Sequence, residues 1–142
     1  MNLKKLLRLV LLFTLMFASR PVHAQAKAHR VVFALTSPDE VDWKLMLGNI
    51  RNLMSGLAPD SVEVEVVAYG PGISFVQKGS SAESEINSLE EKHVHFVACE
   101  NSMRMKHILV SDLVSGVKPV PAGIVEVIKL QEKGWSYIKS GR

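Results

Sequence analysis

The run Val31-Val32-Phe33-Ala34-Leu35, entered through His29-Arg30, narrows the fold more than any other stretch of the chain. It is apolar without period-2 alternation. A strand with one wet face alternates apolar and polar residues, whereas one covered on both faces does not, so this run predicts an interior strand of a parallel sheet. Thr36-Ser37-Pro38-Asp39-Glu40 ends it and opens a helix, with Ser37 expected as N-cap, Pro38 at the first helical position and Glu40 completing a capping box. Trp43, Met46, Leu47, Ile50, Leu53 and Met54 recur at helical spacing, which predicts a helix over 38–55 stopped by Gly56 and Pro59. Gly48 in its interior points to close packing at that position.

The same alternation of strand and helix continues to the C-terminus. Val62–Tyr69 reads as a second strand; Glu63 and Glu65 fall on one face, which suggests a place nearer the sheet edge than the first strand. Gly70-Pro71-Gly72 leaves it, lacking the spacing of a phosphate-binding fingerprint. Ile73–Val76 predicts a buried helical turn. Ser80 and Glu83 offer a second capping box before a short acidic helix with Ile86 and Leu89 inward. Val94–Ala98 is a third strand, and a helix is expected over 101–114 with Gly116 beyond it. The prolines in Val117–Pro121 allow only a short extended segment. A helix from Ala122 to Lys133 and a final strand over 135–139 complete the chain. Strands separated by helices throughout predict one α/β domain with an open, mostly parallel sheet and helices on both faces.

The first 24 residues stand outside that plan. Lys4 and Lys5 form a basic start, Leu9–Ala18 an apolar core, and Val22-His23-Ala24 a small-residue cleavage signal. They predict an exported, periplasmic protein cleaved before Gln25, with residues 25–142 as its domain. The apolar run is short for an uncleaved membrane anchor, the alternative reading. Removing the leader takes Lys4, Lys5, Arg8 and Arg20 with it. The 17 basic residues then become 13 against 14 acidic ones, a net charge of −1 in place of +3. The basic character belongs to the leader, and nothing in the remaining chain suggests a nucleic acid or an anionic membrane as partner.

Cys99 is the chain's single cysteine, so no internal disulfide forms. It ends the third strand where a helix follows, and in open α/β sheets ligands collect at such strand ends. A helix N-terminus favours a thiolate. The other reading is a structural thiol, since free cysteine behaves as a small hydrophobe. His93, His95 and His107 are the candidate partners for a Cys/His dyad; the two strand histidines share the parity of Cys99 but lie further back. Cys99, Met103 and His107 at i, i+4 and i+8 would suit soft Cu(I), against an apolar helix stripe of Met105, Ile108, Leu109 and Leu113. No recognised metal-ligand spacing supports a metal site.

Several segments, taken in order, resemble the DsrE/DsrF-like family of small α/β proteins related to sulfur-relay subunits. They are Arg51–Met54, Val64–Ile73, Phe96–Met103, Val120–Glu126 and Leu130–Lys139. The resemblance implies a sheet of about five strands and a homo-oligomer, trimeric or hexameric. It also implies a cysteine, here Cys99, that carries a persulfide between a donor and an acceptor protein without metal or organic cofactor. Asn101 and Ser102 would then stabilise the sulfur anion through their backbone N–H groups. The competing expectation is a non-catalytic oligomeric binding module, with Gly70, Gly72, Met103 and the Cys99 turn lining a ligand pocket between subunits.

Overall fold

Five strands, every neighbouring pair parallel, form one sheet in the order β4-β3-β2-β1-β5 among the described residues. The computed structural model describes residue 2 and residues 27–141, so the expected cleavage before Gln25 lies outside the described residues. The strands are β1 (Ala28–Leu35), β2 (Ser61–Ala68), β3 (Val94–Cys99), β4 (Lys118–Val120) and β5 (Ser136–Ser140). The helices are α1 (Glu40–Gly56), α2 (Glu83–Glu90), α3 (Glu100–Met105) and α4 (Gly123–Glu132). Short 3-10 helices occupy Gly70–Val76 and Val110–Asp112. Among the described residues no helix is long and apolar enough to cross a membrane.

The two faces of the sheet are unequal. Val31, Phe33 and Leu35 of β1 point into the larger core, where α1, α2 and the 70–76 turn bring Trp43, Ile86, Ile73 and Phe75. The Phe75 ring meets Trp43 edge-on at 5.5 Å and lies 5.9 Å from Phe96. Val32, Ala34, Val67 and Val97 point the other way and are covered by Val127 and Leu130 of α4. Non-alternating β1 is therefore an interior strand with cover on both sides, as its composition requires.

β2 departs from expectation: it is the middle strand of the five, not one nearer the edge. Its glutamates, the third and fifth of eight residues, sit where the thinner face is left partly open, and Val64, Val66, Val67 and Ala68 are all fully buried. The N-cap of α1 is Asp39, whose carboxylate accepts the Val41 N–H at 2.8 Å, rather than Ser37. Ser37 Oγ accepts the Asp39 N–H, and its carbonyl takes the Trp43 indole N–H at 2.8 Å. The capping box expected at Ser80 does not form either. Ser80 Oγ donates to the Phe75 carbonyl, and Glu83 accepts the Gly79 N–H. A methyl group at Gly48 would meet only the end of the Arg51 side chain at 3.7 Å, so no close approach demands glycine there.

The largest difference follows Cys99. The helix expected over 101–114 ends at Met105, and His107 turns the chain with φ +54°. The downstream segment then bonds to the end of the 70–76 turn and the loop after it: Val114 N–H reaches the Val76 carbonyl at 2.9 Å and Lys78 N–H the Asp112 carbonyl at 2.8 Å. This tertiary pairing competes with helix continuation. It breaks the supposed apolar stripe, burying Leu113 and leaving Met105 and Leu109 exposed.

Candidate functional site

Cys99 is the last residue of β3 and the N-cap of α3, with extended φ and ψ of −71° and 115°. The residue is 5% exposed. Burial pushes its thiol up, but the Gly123 N–H, the Ser102 hydroxyl and the Ser102 and Asn101 N–H groups outweigh that effect and lower it. Cys99 makes no tight side-chain cap on α3, so these groups act as a surround for an anionic sulfur rather than as one short bond.

Ser102 links the surround to the second expected segment. Its hydroxyl oxygen accepts the Gly70 N–H at 2.7 Å, which leaves the hydroxyl proton for the sulfur. Gly70 adopts φ +57°, a conformation open to glycine at little cost, and this aims its N–H at Ser102. Asn101 contributes through its backbone; its side chain is exposed and accepts from Arg104.

Two residues that sequence reasoning passed over complete the arrangement. Gly123 opens α4, and a methyl group there would lie 2.9 Å from Tyr69 Cβ and 3.2 Å from Cys99 Cβ. Only glycine lets the α4 N-terminus come this close. The second is Tyr69, packed on the other side of Gly123 from the cysteine's Cβ; burial, then Tyr137 and Cys99, raise its hydroxyl. The available signal was topological: Pro121-Ala122-Gly123 leaves β4 for a helix at the same end of the sheet as Cys99.

Other expected site residues have structural surroundings. Gly72 is buried, and a methyl group there would be 2.5 Å from the Leu35 carbonyl oxygen, so this glycine seats the 70–76 turn against the end of β1. Met103 is buried in the larger core. His107 lies beyond the end of α3, so Cys99, Met103 and His107 do not share one helix face. His95 sits four residues back along β3, about 13 Å from Cys99 at strand rise, too far for a dyad. Among the described residues no group of three or more His, Cys, Asp or Glu side chains could hold a metal ion.

A mostly apolar depression of about 240 Å³ adjoins the turn, lined by Gly70, Pro71, Ser102, Met105 and Lys106. Another, of about 260 Å³, lies at the opposite ends of the strands, between Arg30, Glu63, His93 and His95. It contains no nucleophile of comparable promise. Position at the strand-to-helix end and the converging donors favour the Cys99 turn.

The sequence matches the DsrE/DsrF-like family over residues 15–140. A solved structure of a protein of unknown function from Methanobacterium thermoautotrophicum is 36% identical, with a TM-score of 0.75, covering 78% of this chain and 98% of that one. No curated protein matches.

Proposed function

The chain belongs to the DsrE/DsrF-like family, related to sulfur-relay proteins, and from that premise we propose that it is an exported sulfur carrier whose Cys99 holds a persulfide. One observation carries the reading: donors from two separate elements, α3 and the start of α4, converge on this sulfur and favour its thiolate despite burial. A thiolate is the attacking form in sulfur exchange. It attacks the outer sulfur of a donor persulfide, forming a new S–S bond while the donor's S–S bond breaks and the donor leaves as a thiolate. An acceptor thiolate then takes the outer sulfur and releases Cys99 as thiolate. Electrons balance without a redox partner, and no cofactor enters.

The leader supports action in the periplasm, where donor and acceptor proteins would be found. The burial of Cys99 favours a second reading, a binding module with a structural thiol. Intact-protein mass spectrometry after incubation with glutathione persulfide separates them. A carrier gains one sulfur atom, loses it to added thiol, and gains none as Cys99→Ser. An unmodified mass, with a folded-state thiol inert to alkylation, overturns the proposal. Mass spectrometry of the exported protein should find Gln25 as its first residue.

A further inference from the structure

The charged side chains on the thinner face of the sheet stand close together without pairing. Glu65 and His95 are direct partners across β2 and β3, and Lys118 of β4 stands opposite Val97, two residues further along. Glu90 reaches the same place from the end of α2, and a methyl group at Gly116 would collide with its carboxylate. All four border one depression of about 260 Å³, together with Val97. The ion pairs His29–Asp60 and Arg51–Glu85 lie elsewhere, and among the described residues none of the four forms one.

Glu65 is the unusual member. Its partner on β1, Val32, and its strand neighbours Val64 and Val66 are fully buried, so an apolar side chain would suit this row. A carboxylate stands there instead, with Oε1 shielded from solvent and without a hydrogen-bond partner among the described residues. A buried oxygen in that state calls for a donor. Glu63 and Glu126 add negative charge around it and Lys133 offsets part of that, so a cationic donor suits it best. The side chains do not suit a metal ion, since among the described residues no three ligating groups come together to hold one. Lys118 marks the other end of the depression, roughly 12 Å from Glu65 between Cα atoms by strand spacing and rise. An ammonium without an ion pair suits an anionic group. The volume falls below the roughly 300–1,000 Å³ that takes a drug-sized molecule, so the ligand is small.

We propose that this depression binds a small zwitterion, one ammonium and one carboxylate on a short carbon chain, with the ammonium on Glu65 and the carboxylate on Lys118. Val97 offers the chain an apolar contact, and the His95 imidazole accepts from one end or donates to the other as its tautomer allows. Glu90, near Lys118 and His95, tempers the positive end, so an anion lacking the ammonium gains little there. Cys99 lies about 13 Å from His95 along β3 and takes no part.

Isothermal titration calorimetry on the purified protein tests it with four molecules of one chain length: ω-aminopentanoate, norvaline, pentylamine and pentanoate. At pH 8, above the Glu65 value of about 7, at least one of the two zwitterions should bind with a Kd below ~1 mM. It should bind about tenfold or more tighter than pentylamine and pentanoate, each of which satisfies one end. Glu65→Gln, which keeps the shape, should weaken it about tenfold or more, and Lys118→Met should leave it no tighter than pentylamine. Circular dichroism should show both variants folded. Cys99→Ser should bind as the parent does, which separates this site from sulfur transfer. No saturable binding of either zwitterion, equal binding of pentylamine or pentanoate, or parent-like binding by Glu65→Gln or Lys118→Met overturns the proposal.

Discussion

A thiol buried at the end of an interior strand ought to be a weaker acid than one in water, because burial penalises its charge. At Cys99 burial is the largest influence, yet the balance falls toward the thiolate. After the Gly123 N–H comes Ser102, which contributes both a hydroxyl and an N–H and is itself tied to Gly70. Ser102→Ala removes the hydroxyl while keeping the N–H. Losing one charge-assisted hydrogen bond, about 1.5 kcal/mol, should slow iodoacetamide alkylation of Cys99 at neutral pH roughly tenfold. The midpoint of the rate-against-pH curve should move up. Asn101→Ala, which leaves the backbone donor in place, should leave the curve unchanged. If both variants behave like the parent, the surround does not act on the sulfur.

At the scale of elements, glycine separates contacts that sequence can reveal from those it cannot. Gly123→Ala forces a methyl group against Tyr69 and Cys99. It should cost about 1–3 kcal/mol in urea unfolding, the usual range for overpacking, and should also raise the thiol midpoint by displacing a donor. Gly48→Ala meets only the end of the Arg51 side chain, at ordinary contact distance, and should instead stabilise α1 by about 0.5–1 kcal/mol. The sequence shows a glycine at both positions, and its helical pattern draws attention to Gly48 alone. Crowding at Gly123 comes from Tyr69 and Cys99, far away along the chain, which no local pattern encodes. The strand–helix order and the Cys99 turn were legible because hydrophobic periodicity and chain breakers are local. The early end of α3 was not, since Val76 and Lys78 draw the chain away through bonds to Val114 and Asp112. The middle position of β2 was hidden for a related reason: alternation reports which residues meet water, and an open patch of sheet mimics an edge.

That open patch is a property of the whole molecule. Among the described residues one face of the sheet buries a cluster of 23 side chains and the other six, with α4 as the only helix among the latter. Glu65 stands where this thin cover runs out, with its Oε1 buried and without a hydrogen-bond partner among the described residues. Burial, followed by the nearby Glu126 and Glu63, pushes its carboxyl up to about 7 from 4.5, with Lys133 opposing. Glu90, His95 and Lys118 line the depression beside it. Between those two values the folded chain holds a proton that the unfolded chain has released, so the Glu65 contribution weakens stability as pH rises from 4.5 to 7 and levels off above. The favourable contribution is complete below the unfolded value and lost through the folded one. Glu65→Gln keeps the shape and removes the charge. Partial exposure screens the effect, so the variant should gain on the order of 1–2 kcal/mol over the parent at pH 8 and nothing at pH 4.5. Urea midpoints of both proteins across that range measure the difference, which cancels the titration of the neighbouring groups. A variant that loses stability at pH 8 would mean that the carboxylate is paired there, and that the thin face is closed over Glu65 by something its charge attracts.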